Sequence, residues 1–245
     1  MSGVRIDEGV VQWAVDGQIV PEETAHAALS ERPLLLLMHG YGSFEGDLIG
    51  LASKLPNGFV CASPRAPLVA PAPIVNGYAW WQLAIGPDGA PLPAAPRASF
   101  TGGVAHAAAV AMLTWLDRLD DTLSDRGGLG TIVPMGFSQG GAMVTSLLRM
   151  RPRRFACGVN CSGFVATGAF DGDAELAKYR PPMFWGRDAA DPIIHPSRIT
   201  LMNEWAPAHT ALEAHLYPGI GHSISAAELR DISQFLTAHV TGAER

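Results

Sequence analysis

The chain of 245 residues has only three cysteines, no basic stripe and no apolar run long enough to cross a bilayer. Each scarcity excludes a class of function. Net charge is -6 and the pI about 5.7, so nucleic acid and anionic membrane surfaces are poor partners. The unbroken apolar segment Leu34 to Met38 is far too short for a membrane span, and stable membrane insertion is not expected. Met1-Ser-Gly-Val-Arg-Ile-Asp-Glu8 has no apolar stretch of signal-peptide length, which predicts a cytoplasmic protein. Cys61, Cys157 and Cys161 make an odd number on apolar, strand-like segments. The last two stand four residues apart along one strand, too far to bond, so all three are expected to be reduced and inert.

What the chain does have is 48% hydrophobic residues, enough for a sizeable core, and a length suited to one α/β domain over residues 1–245. Short apolar runs read as buried strands at Pro33–Met38, Phe59–Ala62, Thr131–Met135, Ala156–Asn160, Met183–Trp185 and Leu212–Leu216. Helical patterns lie between them at Asp47–Leu55, Gly103–Leu119, Gly140–Met150, Pro196–Trp205 and Ser225–Val240, the last opening with a Ser225/Glu228 capping-box pair. Val10–Val20 reads as a hairpin turning at Asp16-Gly17. The alternation predicts a mostly parallel sheet with helices on both faces. From Pro64 to Phe100 the rhythm stops. That proline-rich stretch holds Tyr78, Trp80 and Trp81 and predicts a loop or lid folded over something apolar, with Trp80 and Trp81 as substrate-binding candidates.

The segment Thr131-Ile-Val-Pro-Met-Gly136-Phe-Ser138-Gln-Gly140-Gly141 joins an apolar strand to a helix through Gly-x-Ser-x-Gly. A serine hydroxyl held clear of the surface needs a sharp turn whose flanks have no side chains, so the context predicts a nucleophile elbow at Ser138. Serine becomes nucleophilic only when a histidine takes its proton, and that histidine needs a carboxylate to set its tautomer. His222 follows the last strand and precedes the capped helix, the place for the base. The acid belongs after Met183–Trp185, where Asp188 and Asp191 both qualify. Metal binding by Asp188, Asp191 and His195 is a rival reading, but it lacks a second histidine at helical spacing. One oxyanion donor is the Gln139 amide; the other is expected from His39-Gly40-Tyr41-Gly42, at the Tyr41 amide, with His39 bracing the loop.

These motifs, with Ser63-Pro-Arg-Ala-Pro67, Cys161-Ser-Gly163, Asp191-Pro192 and Gly221-His222, resemble the phospholipase/carboxylesterase family, which includes the acyl-protein thioesterases. The resemblance runs from about Leu34 to Val240. It implies an α/β-hydrolase fold, no cofactor, and a triad of Ser138, Asp191 and His222 with Tyr41 and Gln139 as oxyanion donors. Pro192 points the same way, because it restricts Asp191 to extended backbone and stiffens it for orienting work. The expected activity is a serine carboxylesterase acting on small to medium acyl esters. Thioesterase or lysophospholipase action is the near alternative, and a non-catalytic ligand-binding protein is the distant one. The residues leave the acyl and alcohol groups and the oligomeric state open.

Overall fold

Strand β1 (Gln12–Val15) and strand β2 (Gln18–Val20) form the hairpin expected at Asp16-Gly17, where φ is 48° and 75°. The computed structural model describes residues 4–83 and 103–242. Helix α1 (Glu22–Ala28) leads to β3 (Leu34–Met38), α2 (Gly46–Ile49), β4 (Val60–Ser63), and the short pair β5 (Leu68–Val69) and β6 (Tyr78–Ala79). There follow α3 (Val104–Thr122), β7 (Ile132–Phe137), α4 (Gln139–Met150), β8 (Gly158–Cys161) and α5 (Asp173–Tyr179). The chain continues through β9 (Pro182–Arg187), α6 (Pro196–His209), β10 (Ala211–Leu216) and α7 (Ala226–Leu236).

Eight strands make one sheet in the order β10-β9-β8-β7-β3-β4-β1-β2, parallel throughout except where β1 pairs antiparallel with β4 and β2. A strand packed on both faces must be apolar at every position. Strand β3 meets that demand: Leu34, Leu36 and Met38 join a core with α3, α4 and α6, while Leu35 and Leu37 join the opposite core with α2 and α7. The chain runs from β3 to β4 on one side and later returns to β7 on the other. The carboxyl ends of β3 and β7 therefore flank a topological switch point, where open α/β sheets form binding crevices.

Three expectations need correction. Asp47–Leu55 is not one helix but α2, then Gly50 and a single 3₁₀ turn at Ala52–Lys54. The proline-rich stretch is not wholly irregular, since β5 and β6 pair antiparallel within it; residues 84–100 of the expected lid lie outside the described residues. The capping box is only half made. Ser225 Oγ accepts the Glu228 amide at 3.0 Å, but the Glu228 side chain turns into the core instead of back to Ser225. Gly186 gives it room, because a β-carbon there would fall on the Glu228 carboxylate.

Candidate active site

Ser138 lies between the end of β7 and the start of α4, with φ 54° and ψ −112°. Such a conformation costs a non-glycine residue about 1–3 kcal/mol and persists only where its surroundings over-determine it. Here the Ser138 amide donates to the Cys161 carbonyl at 2.9 Å, and its own carbonyl accepts from Ala142 at 3.1 Å. The flanking glycines are sterically required. A β-carbon on Gly136 would fall on the Gly140 backbone, and one on Gly140 would fall on the Met38 carbonyl. Asn160, fully buried on β8, locks the next position: its amide donates to the Gly141 carbonyl at 3.1 Å and its Oδ1 accepts the Gly163 amide at 2.8 Å.

His222 Nδ1 lies 2.7 Å from Asp191 Oδ2. A carboxylate only accepts, so this bond puts the proton on Nδ1 and leaves Nε2 with its lone pair. The other Asp191 oxygen accepts the Ile193 and Ile194 amides at 2.8 and 3.1 Å, which fixes the carboxylate from behind. Phe137, adjoining the elbow, packs against the His222 ring with centroids 4.7 Å apart. Asp188 does different work. Its Oδ1 accepts the Ala190 amide at 2.9 Å, and its Oδ2 accepts the Gly221 amide at 2.8 Å, immediately before His222. Those amides hold its carboxyl below the usual carboxylate range. Asp188 thus ties the histidine loop to the acid loop, while Asp191 meets the imidazole.

Ser138, His222, Tyr41 and Gln139 line one cavity of about 500 Å³. Its other walls are largely apolar, from Ile74, Leu83, Phe137 and Phe164. The backbone amides of Tyr41 and Gln139 donate to no hydrogen bond among the described residues. The Tyr41 loop is held by His39, which is fully buried. His39 Nε2 accepts the Ala66 amide at 3.0 Å, so the proton sits on Nδ1, which donates to the Gly40 carbonyl at 2.8 Å. Burial lowers its pKa and favours that neutral form.

Trp80 and Trp81 are not wall residues. They are 1% and 6% exposed and belong to the core under the loop, away from the cavity lining. Trp80 Nε1 donates to the His39 carbonyl at 2.8 Å. The Gln139 side chain clamps both backbones, accepting from Trp80 N at 3.0 Å and donating to the Trp81 carbonyl at 2.7 Å. Aromatic residues near a site signal burial as readily as contact, and here burial won. Of the three residues of the rival metal reading, Asp188 accepts the Gly221 amide, Asp191 meets His222, and His195 takes Ser197. Among the described residues no cluster of three or more His, Cys, Asp or Glu is arranged to hold a metal ion. Sequence reasoning missed Asn160, the Gln139 side chain, and the wall residues Phe164 and Arg198. Asn160, Phe164 and Arg198 stand in no pattern that marks them, and the elbow motif marks the Gln139 amide without its side chain.

The model of the phospholipase/carboxylesterase family matches residues 114–240, just over half of the chain, across the elbow, the acid loop and the histidine loop. The chain belongs to the phospholipase/carboxylesterase family. A probable carboxylesterase of Oryza sativa subsp. japonica is 27% identical over 115 residues, a stretch covering 44% of this chain and 42% of that relative. Among solved structures, esterase PE8 superposes with a TM-score of 0.62 at 22% identity, covering 85% of this chain and 93% of its own. A phospholipase/carboxylesterase from Dyadobacter fermentans DSM 18053 gives a TM-score of 0.61 at 17% identity, covering 96% and 97%. At that identity the two structures share the α/β-hydrolase fold with this chain.

Proposed function

We propose that this protein is a serine carboxylesterase that hydrolyses small to medium acyl esters. The observation that carries the reading is the 2.7 Å bond from His222 to Asp191, in a cavity that also holds a strained, elbow-mounted Ser138. Ser138 Oγ attacks the acyl carbon as His222 Nε2 takes its proton. The Tyr41 and Gln139 amides receive the developing oxyanion, where each donor lowers the barrier by about 3–4 kcal/mol. The imidazolium returns the proton to the departing alkoxide. Water then attacks the acyl-enzyme by the same route, releasing the acid and restoring Ser138.

The apolar walls favour short or medium chains. The net charge of -6 without a basic stripe gives little attraction to an anionic interface, so the reading favours dissolved over interface-bound substrate. A reducing, cytoplasmic setting suits three buried cysteines whose thiols burial pushes up, to about 12 at Cys61 and Cys157. The test is a p-nitrophenyl ester chain-length series on wild type and Ser138→Ala, with labelling by a fluorophosphonate. The wild type should label at Ser138 alone and favour chains of up to medium length, with no jump in rate above the micellar threshold. Ser138→Ala should keep its fold and lose turnover. Unchanged turnover in that variant would sink the proposal.

A further inference from the structure

Arg198 sits on the first turn of α6 and lines the same cavity as Ser138 and His222. Its guanidinium lies 4.1 Å over the ring of Phe164, another wall residue. A guanidinium taken partly out of water ordinarily finds a carboxylate. Among the described residues the other half-buried or buried arginines each find a hydrogen-bond acceptor. Arg149 forks onto Asp173 at 2.6 and 2.8 Å, Arg65 bonds Glu45, and Arg187 donates to the Asp188 backbone carbonyl at 3.0 Å. Arg198 does not: among the described residues it has neither an ion pair nor a hydrogen bond, and burial alone lowers its pKa.

No ion pair joins that cation to the rest of the described wall. Asp47 is the other residue of fixed charge lining the cavity besides Arg198, and Ser43 Oγ donates to it at 2.6 Å. His195, one turn before Arg198, has its Nδ1 engaged with the Ser197 hydroxyl at 2.8 Å. Phe164 holds one face of the guanidinium, so its edge donors stay available in a fixed plane. Such a planar fork matches an oxyanion with two oxygens in register.

We propose that Arg198 receives an anionic group of the substrate, so that the preferred ester carries a carboxylate remote from the bond that breaks. This deepens the carboxylesterase reading and rests on it. The ester bond would lie at Ser138 while the carboxylate lies at Arg198, and the apolar wall between them would take the intervening methylenes. A charge-assisted bond of this kind is worth about tenfold to a hundredfold in kcat/KM.

Two matched pairs of esters test it, one for each side of the scissile bond. The acyl pair is the p-nitrophenyl monoester of glutarate against p-nitrophenyl hexanoate. The alcohol pair is the butyryl ester of 4-hydroxybutyrate against pentyl butyrate. Wild type should favour the charged member of one pair at least tenfold in kcat/KM. Arg198→Gln should erase that preference mainly through KM, and Arg198→Lys should keep part of it. Preference for the neutral member in both pairs, or an equal loss on both members in the variants, overturns the proposal. Calorimetric titration of glutarate gives a readout free of turnover. Wild type should bind at least tenfold tighter than Arg198→Gln. If no ester is turned over yet glutarate binding depends on Arg198, the hydrolase reading falls and the anion site stands. If binding is the same in both proteins, the anion site falls.

Discussion

The two aspartates of the acid loop lie three residues apart and are both acceptors, yet they serve different neighbours. Asp191 accepts from an imidazole that must be oriented, whereas Asp188 accepts from the Gly221 amide and holds the loop that carries the imidazole. In the proposed triad, Asp191→Asn would present an amide where a carboxylate is needed and favour the wrong histidine tautomer. Its kcat should fall by as much as about 10⁴-fold with the fold intact. Asp188→Asn keeps one carbonyl oxygen for the amides and should cost far less in kcat, with a loss of stability instead. Both variants are to be assayed side by side by ester turnover and circular dichroism. If Asp188→Asn is the dead enzyme and Asp191→Asn the active one, the roles must be exchanged.

Between elements, the site depends on how closely two strand ends and one helix approach. Met38 at the end of β3 pairs with Gly136 on β7, which brings the His39–Gly42 loop against the elbow. Gly40 is part of that approach, since a β-carbon there would lie 3.2 Å from the Phe137 ring and 3.5 Å from Ser138 Cβ. Gly140 is tighter still, because a methyl would strike backbone carbonyls of Met38 and His39, which lack the freedom of a side chain. Gly140→Ala should therefore push α4 off β3, at a cost of about 1–3 kcal/mol in stability. A displacement near 1 Å at the elbow should also lower kcat about 100-fold. Thermal melts and ester kinetics on Gly140→Ala check both. A variant with wild-type rates would show that the elbow tolerates separation from β3.

One buried acid makes the stability of the whole molecule depend on pH. The core beneath α7 contains Glu228, wholly buried, with neither carboxylate oxygen hydrogen-bonded among the described residues. Burial raises its pKa to about 7 from an ordinary value near 4.5. The folded protein thus holds the proton more tightly than the unfolded chain does. Stability from this group is complete below pH 4.5 and is lost as pH rises toward 7. Glu228→Gln should remove that loss. It should match wild type near pH 5 and exceed it at pH 8, by on the order of 3 kcal/mol. Urea unfolding at the two pH values measures the difference, and an identical pH dependence in both proteins would refute the account.

Patterns confined to one stretch of chain are legible in the order of residues alone. The all-apolar run of β3 tells of a strand covered twice, the glycines about Ser138 tell of a sharp turn, and Gly221-His222 stands where a base loop belongs. Such features record backbone sterics and burial, which act locally and leave a signature in residue type and spacing. What the sequence left open depended on partners far away along the chain. Asp188 and Asp191 are alike in residue type; Pro192 and the family resemblance favoured Asp191, but only folding shows it meeting an imidazole 31 residues on. Trp80 and Trp81 had the composition of a substrate wall, but they lie in the core with their backbones clamped by Gln139, 59 and 58 residues on. Arg198 belongs to the same class. Nothing around it in sequence marks a binding residue, and only the tertiary packing sets its guanidinium on Phe164 in the cavity of Ser138 without a carboxylate beside it among the described residues.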